Sequence, residues 1–470
     1  MSFLDRESTV AGPGYNRWLF PPAALAVHLS IGQVYAFSVF KIPLVEHFDS
    51  SLTAIGAIFS ISIVMLGLSA AVLGTWVERS GPRKAMLASG LCWASGFLIG
   101  ALGVSTDQLW LVYLGYGFIG GIGLGIGYIS PVSTLIKWFP DRPGLATGLA
   151  IMGFGGGALI ASPLSARLLE TYGGNAESPD GIVASFLTLA AVYAVAMTLG
   201  AFTARVPAKD WAPAGFTPHT DSHGLRTSAN VSAGNAIRTR AFWLLWVVLF
   251  CNVTAGIGIL EQASPMIQDF FSSVDPEEAA GFVGLLSLAN MAGRFVWSST
   301  SDVVGRKPIY MAYLGIGAVL YFLLASAGPS STFLFVALAV VILSFYGGGF
   351  ATVPAYLKDL FGGFQVGAIH GRLLTAWSAA GIAGPLIVNA IADNRKAAGA
   401  EGADLYQLSL FIMVGILVVG FLANLAVRPV PERYHEPTDQ ADDVDEAGGV
   451  RTGSTAAPTD LRDTPEGARR

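Results

Sequence analysis

Apolar residues run through this chain in long blocks, separated by short polar or Gly- and Pro-containing breaks. Twelve blocks read as helices: 18–40, 54–77, 85–104, 109–136, 144–169, 182–204, 241–268, 280–301, 308–327, 332–357, 368–392 and 405–427. Each is on the order of 20 residues, the length a helix rising about 1.5 Å per residue needs to cross a hydrocarbon core of roughly 30 Å. The pattern predicts an all-α membrane protein with twelve transmembrane helices. The blocks fall into two sets of six, in 1–204 and 241–427. Between them, 205–240 is rich in Pro, Ser, Thr and basic residues and reads as a linker. Segment 428–470 is rich in Asp, Glu, Pro, Gly and Thr and is expected to be disordered.

Composition agrees. Of 470 residues, 53% are hydrophobic and 13% charged, against about 25% charged in soluble domains. The 57 glycines fit close helix packing in lipid. Cys92 and Cys251 both lie inside apolar blocks, and the histidines are scattered, so no disulfide, metal site or cofactor is expected. The net charge of −5 owes much to the tail and gives no sign of a nucleic-acid partner. No small-residue cleavage site closes the first block, so it is not read as a signal peptide. Lys and Arg flank the blocks unevenly: eighteen lie at the termini and in loops after even-numbered blocks, and only Lys41, Arg395 and Lys396 in the others. The positive-inside rule therefore places both termini, and the linker, in the cytoplasm of a multi-pass plasma-membrane protein.

The two sets of blocks also repeat. GTWVERSGPRK (Gly74–Lys84) corresponds to SSTSDVVGRK (Ser298–Lys307), each between the second and third helices of its set. Gly81 matches Gly305 at an offset of 224, Pro131 matches Pro354 and Gly148 matches Gly371 at 223, and Pro163 matches Pro385 at 222. Two six-helix halves related by an axis along the membrane normal describe the major facilitator architecture, with a central site between the halves.

Chemistry concentrates in the eighth block. Arg294 lies seven residues before Ser301 at its cytoplasmic end, so its Cα is about 10 Å inside. A cation there costs about 3 kcal/mol or more, and Arg cannot deprotonate. Ser287, Asn290, Arg294, Ser298 and Ser301 recur every three or four residues and form one polar stripe. A guanidinium presents a planar fork that fits a carboxylate, so the stripe points to an organic anion, with Asn290 one turn away able to share it. Tyr128 and Tyr346 fall near mid-membrane, where a phenol needs a partner and so favours a lined cavity. Gln33 and Tyr35 in the first block are similar candidates. Glu78, Arg79, Arg83 and Lys84, with Asp302 and Arg306 in the second copy, cluster at helix ends and read as a gate that bonds across the molecule in one state and parts in another. Glu261, the only acid placed within a second-half block, reads as lying at the external mouth. The run GGIGLGIGY is no phosphate loop: it follows no strand, lacks GK[ST] and sits inside an apolar block. Its Gly121/Gly125 and Gly123/Gly127 spacings permit close helix contact instead.

GTWVERSGPRK resembles the loop between helices two and three of major facilitator proteins, with Glu78 where Asp is commoner. GQVYAFSVF (Gly32–Phe40), GIGLGIGYISPVSTLIKWFPDRPGLATGLAIMGFGGGALIASPL (Gly121–Leu164) and LLTAWSAAGIAGPL (Leu373–Leu386) are similar to the oxalate:formate antiporter family, itself related to the monocarboxylate transporters. The resemblance covers about residues 15–427. It implies that Arg294 grips a substrate carboxylate and that Tyr128 and Tyr346 belong to an aromatic cage. It also marks a departure. Members that exchange the dianion oxalate carry a Lys in the eleventh helix, where this chain has Trp377. One central cation balances a monoanion, and an unpaired charge in a low-dielectric site costs several kcal/mol.

These readings predict a secondary transporter of small organic anions, most simply the monocarboxylates formate, lactate or pyruvate, working by alternating access. The proton is a candidate coupling ion. The alternatives are an oxalate:formate type antiporter and a membrane sensor that binds an anion and signals through the tail. No nucleophile–base pair, metal cluster or nucleotide motif supports an enzyme.

Overall fold

The computed structural model describes residues 3–50, 52–173, 179–209, 211–213, 215, 225, 227, 229–274 and 276–436. Among them, regular structure is helical apart from one isolated bridge between Val10 and Val206. The long helices are α1 (Arg17–Ala36), α2 (Leu52–Ser80), α3 (Pro82–Ser105), α4 (Leu109–Trp138), α5 (Pro143–Tyr172), α6 (Pro179–Thr203), α7 (Arg240–Phe270), α8 (Pro276–Val304), α9 (Arg306–Ser326), α10 (Thr332–Phe361), α11 (Val366–Ala397) and α12 (Gln407–Ala426). Eleven are long and apolar enough to cross a membrane, and α8 is not among them. It has the length, 29 residues, but Arg294, Asp302 and the serine stripe dilute its apolarity. Hydropathy alone thus supports eleven of the twelve expected spans, and the exception is the helix carrying the candidate chemistry.

Most helices outrun their apolar blocks because capping groups satisfy the terminal N–H groups beyond the lipid-compatible part. Thr239 accepts from Phe242 N at the start of α7 and Ser331 from Leu334 N at the start of α10. Pro82 and Pro143 open α3 and α5, where the missing N–H is no loss. The single-residue turns α2–α3 and α8–α9 pass through Gly81 (φ 80°) and Gly305 (φ 96°), a conformation that side chains resist. The first block departs from expectation. It is not one helix over 18–40: the chain tightens to a 3-10 stretch at Gly32–Ala36 and resumes as a short helix, Ser38–His47. At Gly32 a Cβ would sit 2.3 Å from the Phe154 carbonyl oxygen, so the close approach of α5 accompanies the change.

Helix α1 packs on α4, α5 and α6, α3 on α4 and α6, and α2 on α4. In the second half of the chain, α7 packs on α8, α10, α11 and α12, α8 on α10, and α9 on α12. The halves meet through α2 with α11, α5 with α8, and α5 with α10. These seams need glycine: a Cβ at Gly144 would lie 2.1 Å from Ser298 O, and one at Gly371 2.1 Å from Ala70 O. The end of the molecule bearing Gly81, Gly305, Lys137, Arg306 and Lys358 is called the basic face below.

The described part of the linker is packed. Trp211 meets Trp138 at 4.8 Å, Val231 N donates to Phe361 O, and Ala233 N donates to Gln365 Oε1. The first residues of the expected disordered tail are packed too: Glu436 accepts from Asn235 Nδ2 and Ser232 N. Arg226 and the tail from 437 onward lie outside the described residues, as does the side chain of Glu261.

Candidate functional site

Arg294 is 1% exposed. Its Nε donates to Asn290 Oδ1 (3.1 Å), one turn back on α8, and its Nη1 donates to Ile151 O on α5 (3.2 Å). Its guanidinium carbon lies 5.3 Å from the Phe350 ring centroid and 6.0 Å from that of Phe154. No carboxylate pairs with it among the described residues. Asn290 therefore orients the cation without neutralising it.

Around Arg294 the helices assemble an aromatic box. Trp377 (α11) meets Phe350 (α10) at 4.7 Å, Phe154 (α5) at 5.7 Å and Tyr128 (α4) at 5.9 Å. Tyr128 meets Phe154 edge-on at 5.5 Å and Phe350 at 5.7 Å. Tyr35 stands edge-on to Phe154 at 5.1 Å, and Tyr35 and Tyr346 both lie beside Arg294. The Tyr128 hydroxyl and Trp377 Nε1 are buried without a hydrogen bond to protein, whereas the Tyr35 hydroxyl lies against Arg294 and Tyr346. Unmet donors at such depth cost about 1–3 kcal/mol each, so two of them in an aromatic box with a cation form a surface suited to an anion's oxygens.

Of the sequence-predicted residues, the structure gathers Arg294, Asn290, Tyr128, Tyr35, Tyr346 and Trp377. It does not bring Gln33 to them. Gln33 turns into the first half, where its Oε1 accepts from Tyr116 (2.9 Å). Tyr346 sits at the border of a cleft lined by Asn252, Tyr313, Tyr321 and Phe345. The sequence reading missed Phe154 and Phe350, and also His28 and His370, which flank Tyr128 at 5.5 and 5.7 Å. A signal for the phenylalanines was present. The repeat offset relates Tyr128 to Phe350 (222) and Phe154 to Trp377 (223), so the box is built from two repeat-related pairs.

The gate residues behave differently from one another. Glu78 on α2 accepts from Gly367 N at the start of α11 (2.9 Å) and from Ser133 (2.6 Å), and it pairs with Lys137 (2.6 Å). Asp302 on α8 accepts from Gly144 N and Leu145 N at the start of α5, both at 2.8 Å. Each carboxylate thus sits at the positive end of a helix in the other half of the chain. The two contacts are repeat partners, since Glu78 to Asp302 is 224 and Gly144 to Gly367 is 223. Arg306 is held by Asp302, Asp359 and Ser301. Lys358 Nζ donates to Pro140 O (3.0 Å), and Arg372 reaches Thr75 (3.4 Å). Arg79 and Lys84 are exposed. Arg83 is buried but faces the N-terminal segment, donating to Phe3 O (2.6 Å) with its guanidinium 4.1 Å from the Phe3 ring. Among the described residues, hydrogen bonds between the halves lie from the basic face up to the Ser378–Ile63 contact (3.1 Å).

Known proteins match this arrangement. The oxalate:formate antiporter of Oxalobacter formigenes is 26% identical over 384 residues, 81% of this chain and 86% of that protein. Monocarboxylate transporter 2 of Meriones unguiculatus is 24% identical over 419 residues, 84% of this chain and 80% of that protein. The E. coli transporter FucP, crystallised in its outward conformation, superimposes with a TM-score of 0.65 at 16% identity, over 88% of this chain and 100% of FucP. The relatives are transporters and not enzymes, and a transporter needs a small-molecule substrate. The Major Facilitator Superfamily model matches residues 23–294 and 263–465, and the chain, a multi-pass membrane protein, belongs to that family.

Proposed function

We propose that this protein is a secondary transporter of small monocarboxylate anions, operating by alternating access. One observation carries the reading: a buried, permanently charged Arg294 that has no carboxylate partner among the described residues and is walled by aromatic rings with unmet donors. A buried charge without a counter-charge is costly. A substrate carboxylate would neutralise it, accepting two N–H groups of the fork while Tyr35, Tyr128 and Trp377 donate to the remaining lone pairs. Tyr346 and Asn290 orient the pair.

The substrate class follows from charge and size. Arg294 is the one cation of the box among the described residues, and Trp377 occupies the position where oxalate-exchanging relatives carry a second. Against the permanent charge of Arg294 alone, a monoanion is balanced one to one, whereas a dianion leaves one charge unpaired. The box walls suit the short apolar part of lactate or pyruvate. Similarity to an oxalate:formate antiporter and to a monocarboxylate transporter supports small carboxylates in general.

In the proposed cycle the two six-helix halves, 1–204 and 241–427, rock about this site in a twelve-span protein with both termini in the cytoplasm. Hydrogen bonds between the halves that run from the basic face only as far as Ser378–Ile63 support a state closed toward the cytoplasm. The test is uptake of labelled formate, lactate, pyruvate and oxalate into proteoliposomes. Liposomes preloaded with unlabelled anion are compared with empty ones under an inward proton gradient. Monocarboxylate uptake is expected, falling to the protein-free background in Arg294→Ala. Oxalate uptake equal to that of the monocarboxylates would overturn the charge argument. Absence of flux for every anion would reject the substrate class and favour a sensor.

A further inference from the structure

His28 lies on α1, one turn before Gly32, and is fully buried. Both its ring nitrogens face backbone carbonyl oxygens. Nδ1 is 2.6 Å from Ala150 O on α5, and Nε2 is 3.1 Å from Tyr128 O on α4. A carbonyl oxygen can only accept. A neutral imidazole carries one N–H and so can satisfy one of the two, leaving a ring lone pair directed at an oxygen lone pair on the other side. Only the imidazolium, which donates from both nitrogens, satisfies both. The pocket is therefore complementary to the protonated ring.

We infer that His28 is the site at which a co-transported proton binds, one per substrate anion. The inference rests on the transporter reading above and adds to it the identity of the coupling ion and its carrier. On binding, an N–H bond forms at the unprotonated ring nitrogen. The proton comes from water on the side to which the cleft is open and leaves to water on the other side.

The coupling is built into α5. Ala150 O faces His28, and the next carbonyl, Ile151 O, accepts from Arg294. The two cation sites thus hang on consecutive peptide groups. Burial is the first thing that opposes a charge on His28, the two carbonyls favour it, and Arg294, within electrostatic reach, adds a smaller like-charge opposition while the site is empty. A carboxylate bound at Arg294 cancels that opposition and makes the proton easier to accept. By reciprocity, protonation strengthens anion binding by the same factor. The remaining titratable groups facing this locus are Tyr128 from α4 and His370 from α11. Helices α3 and α6, also packed on α1, have no hydrogen bond or ion pair to His28 among the described residues. His370 is buried, and neither of its nitrogens has a protein partner. It lacks the two-carbonyl cradle and is the natural control.

The test uses purified full-length protein in liposomes, with whichever of formate, lactate and pyruvate shows counterflow, and protein-free liposomes subtracted. With one proton per anion, an inward gradient of about one pH unit sustains about a tenfold accumulation. His28→Gln and His28→Asn are expected to abolish that accumulation and the substrate-induced alkalinisation of the medium, while anion counterflow at equal pH persists above the protein-free background at a lower apparent affinity, because the reciprocal strengthening of anion binding is lost with the proton. Three results would overturn the inference: wild-type protein that exchanges anions without moving protons, His28 variants that still accumulate, or loss of coupling in His370→Gln with coupling intact in His28→Gln. None of these touches the substrate reading, which fails if wild type shows no counterflow or carries oxalate as well as the monocarboxylates. Should neither His28 variant insert, 15N-histidine NMR of the wild type at pH 8 decides: one of the six imidazoles must carry both N–H protons when substrate is bound, and none doing so overturns the assignment.

Discussion

Two buried arginines twelve residues apart, Arg294 within α8 and Arg306 at the start of α9, show how differently one residue type can be used. Arg306 is 3% exposed and meets Asp302 and Asp359. Arg294 is 1% exposed and meets an amide oxygen and a peptide carbonyl. The first is neutralised within the fold and ties α8, α9 and α10 together on the basic face. The second is oriented but left charged. Burial and residue type do not separate them. The presence or absence of a carboxylate does, and it distinguishes a cation that serves structure from one that awaits an anion.

The largest expected effect comes from treating both arginines alike. Arg306→Met removes the guanidinium held between Asp302 and Asp359 and should destabilise by up to about 3–5 kcal/mol, the cost of breaking a buried ion pair. Arg294→Met removes an uncompensated charge and should leave thermal stability in detergent unchanged or raised. Equal losses of melting temperature in the two variants would dissolve the contrast.

A smaller effect is expected at the two helix-start contacts. Asp302→Asn and Glu78→Gln keep an acceptor but lose the charge that complements the start of α5 or α11. Losses at such caps run to about 1 kcal/mol, or about fivefold in an equilibrium. Both should open the basic face, read as faster thiol labelling of a cysteine placed at the buried Ser130 in a background lacking Cys92 and Cys251. Asp302→Asn should exceed Glu78→Gln, because Asp302 holds the buried Arg306 whereas the Lys137 that pairs with Glu78 is partly exposed. The reverse order would mean that Arg306 depends on Asp359 alone.

The smallest effect belongs to a peripheral pair. Arg17 and Asp141 meet at 2.6 Å on the basic face, each about a fifth exposed. Burial pushes the Asp141 carboxyl up, but hydrogen bonds and charge from Arg17 and the charge of Arg142 outweigh it, so its pKa is lowered. A depressed carboxylate contributes stability above its unfolded pKa, about 3.9, and loses it as the pH falls through the folded value. Asp141→Asn should cost no more than about 1 kcal/mol at neutral pH, and nothing once the pH is below both values. A loss that persists there would assign the effect to packing.

Much of this was legible in the chain itself. Helix existence followed from apolar length because a spanning segment must satisfy its own backbone groups. Arg294 stood out because a permanent cation inside an apolar block has few bland explanations. The serine and asparagine spacing fixed its face of α8, and the repeat offset held down to single contacts at the two gates. These are local properties, set by covalent spacing and the helical period.

Other features depended on which helix lies against which. Gln33 and Tyr35 are two residues apart, yet the 3-10 turn at Gly32–Ala36 sends one toward Tyr116 and the other toward the box. Arg83 and Glu78 sit in one motif, but only Glu78 reaches the other half of the chain. His28 reads in sequence as a lone histidine on an apolar helix. Its meaning comes from two carbonyls 100 and 122 residues away along the chain. The sequence by itself determined the helices, their membrane character and the one cation that had to be explained. The tertiary structure alone decided that this cation has no carboxylate partner among the described residues, that aromatic rings from both halves enclose it, and that the cradle of His28 suits an imidazolium. The physical reason is that the helical period orders neighbours within a few turns, whereas charge neutralisation and hydrogen-bond satisfaction are settled between segments that the period does not relate.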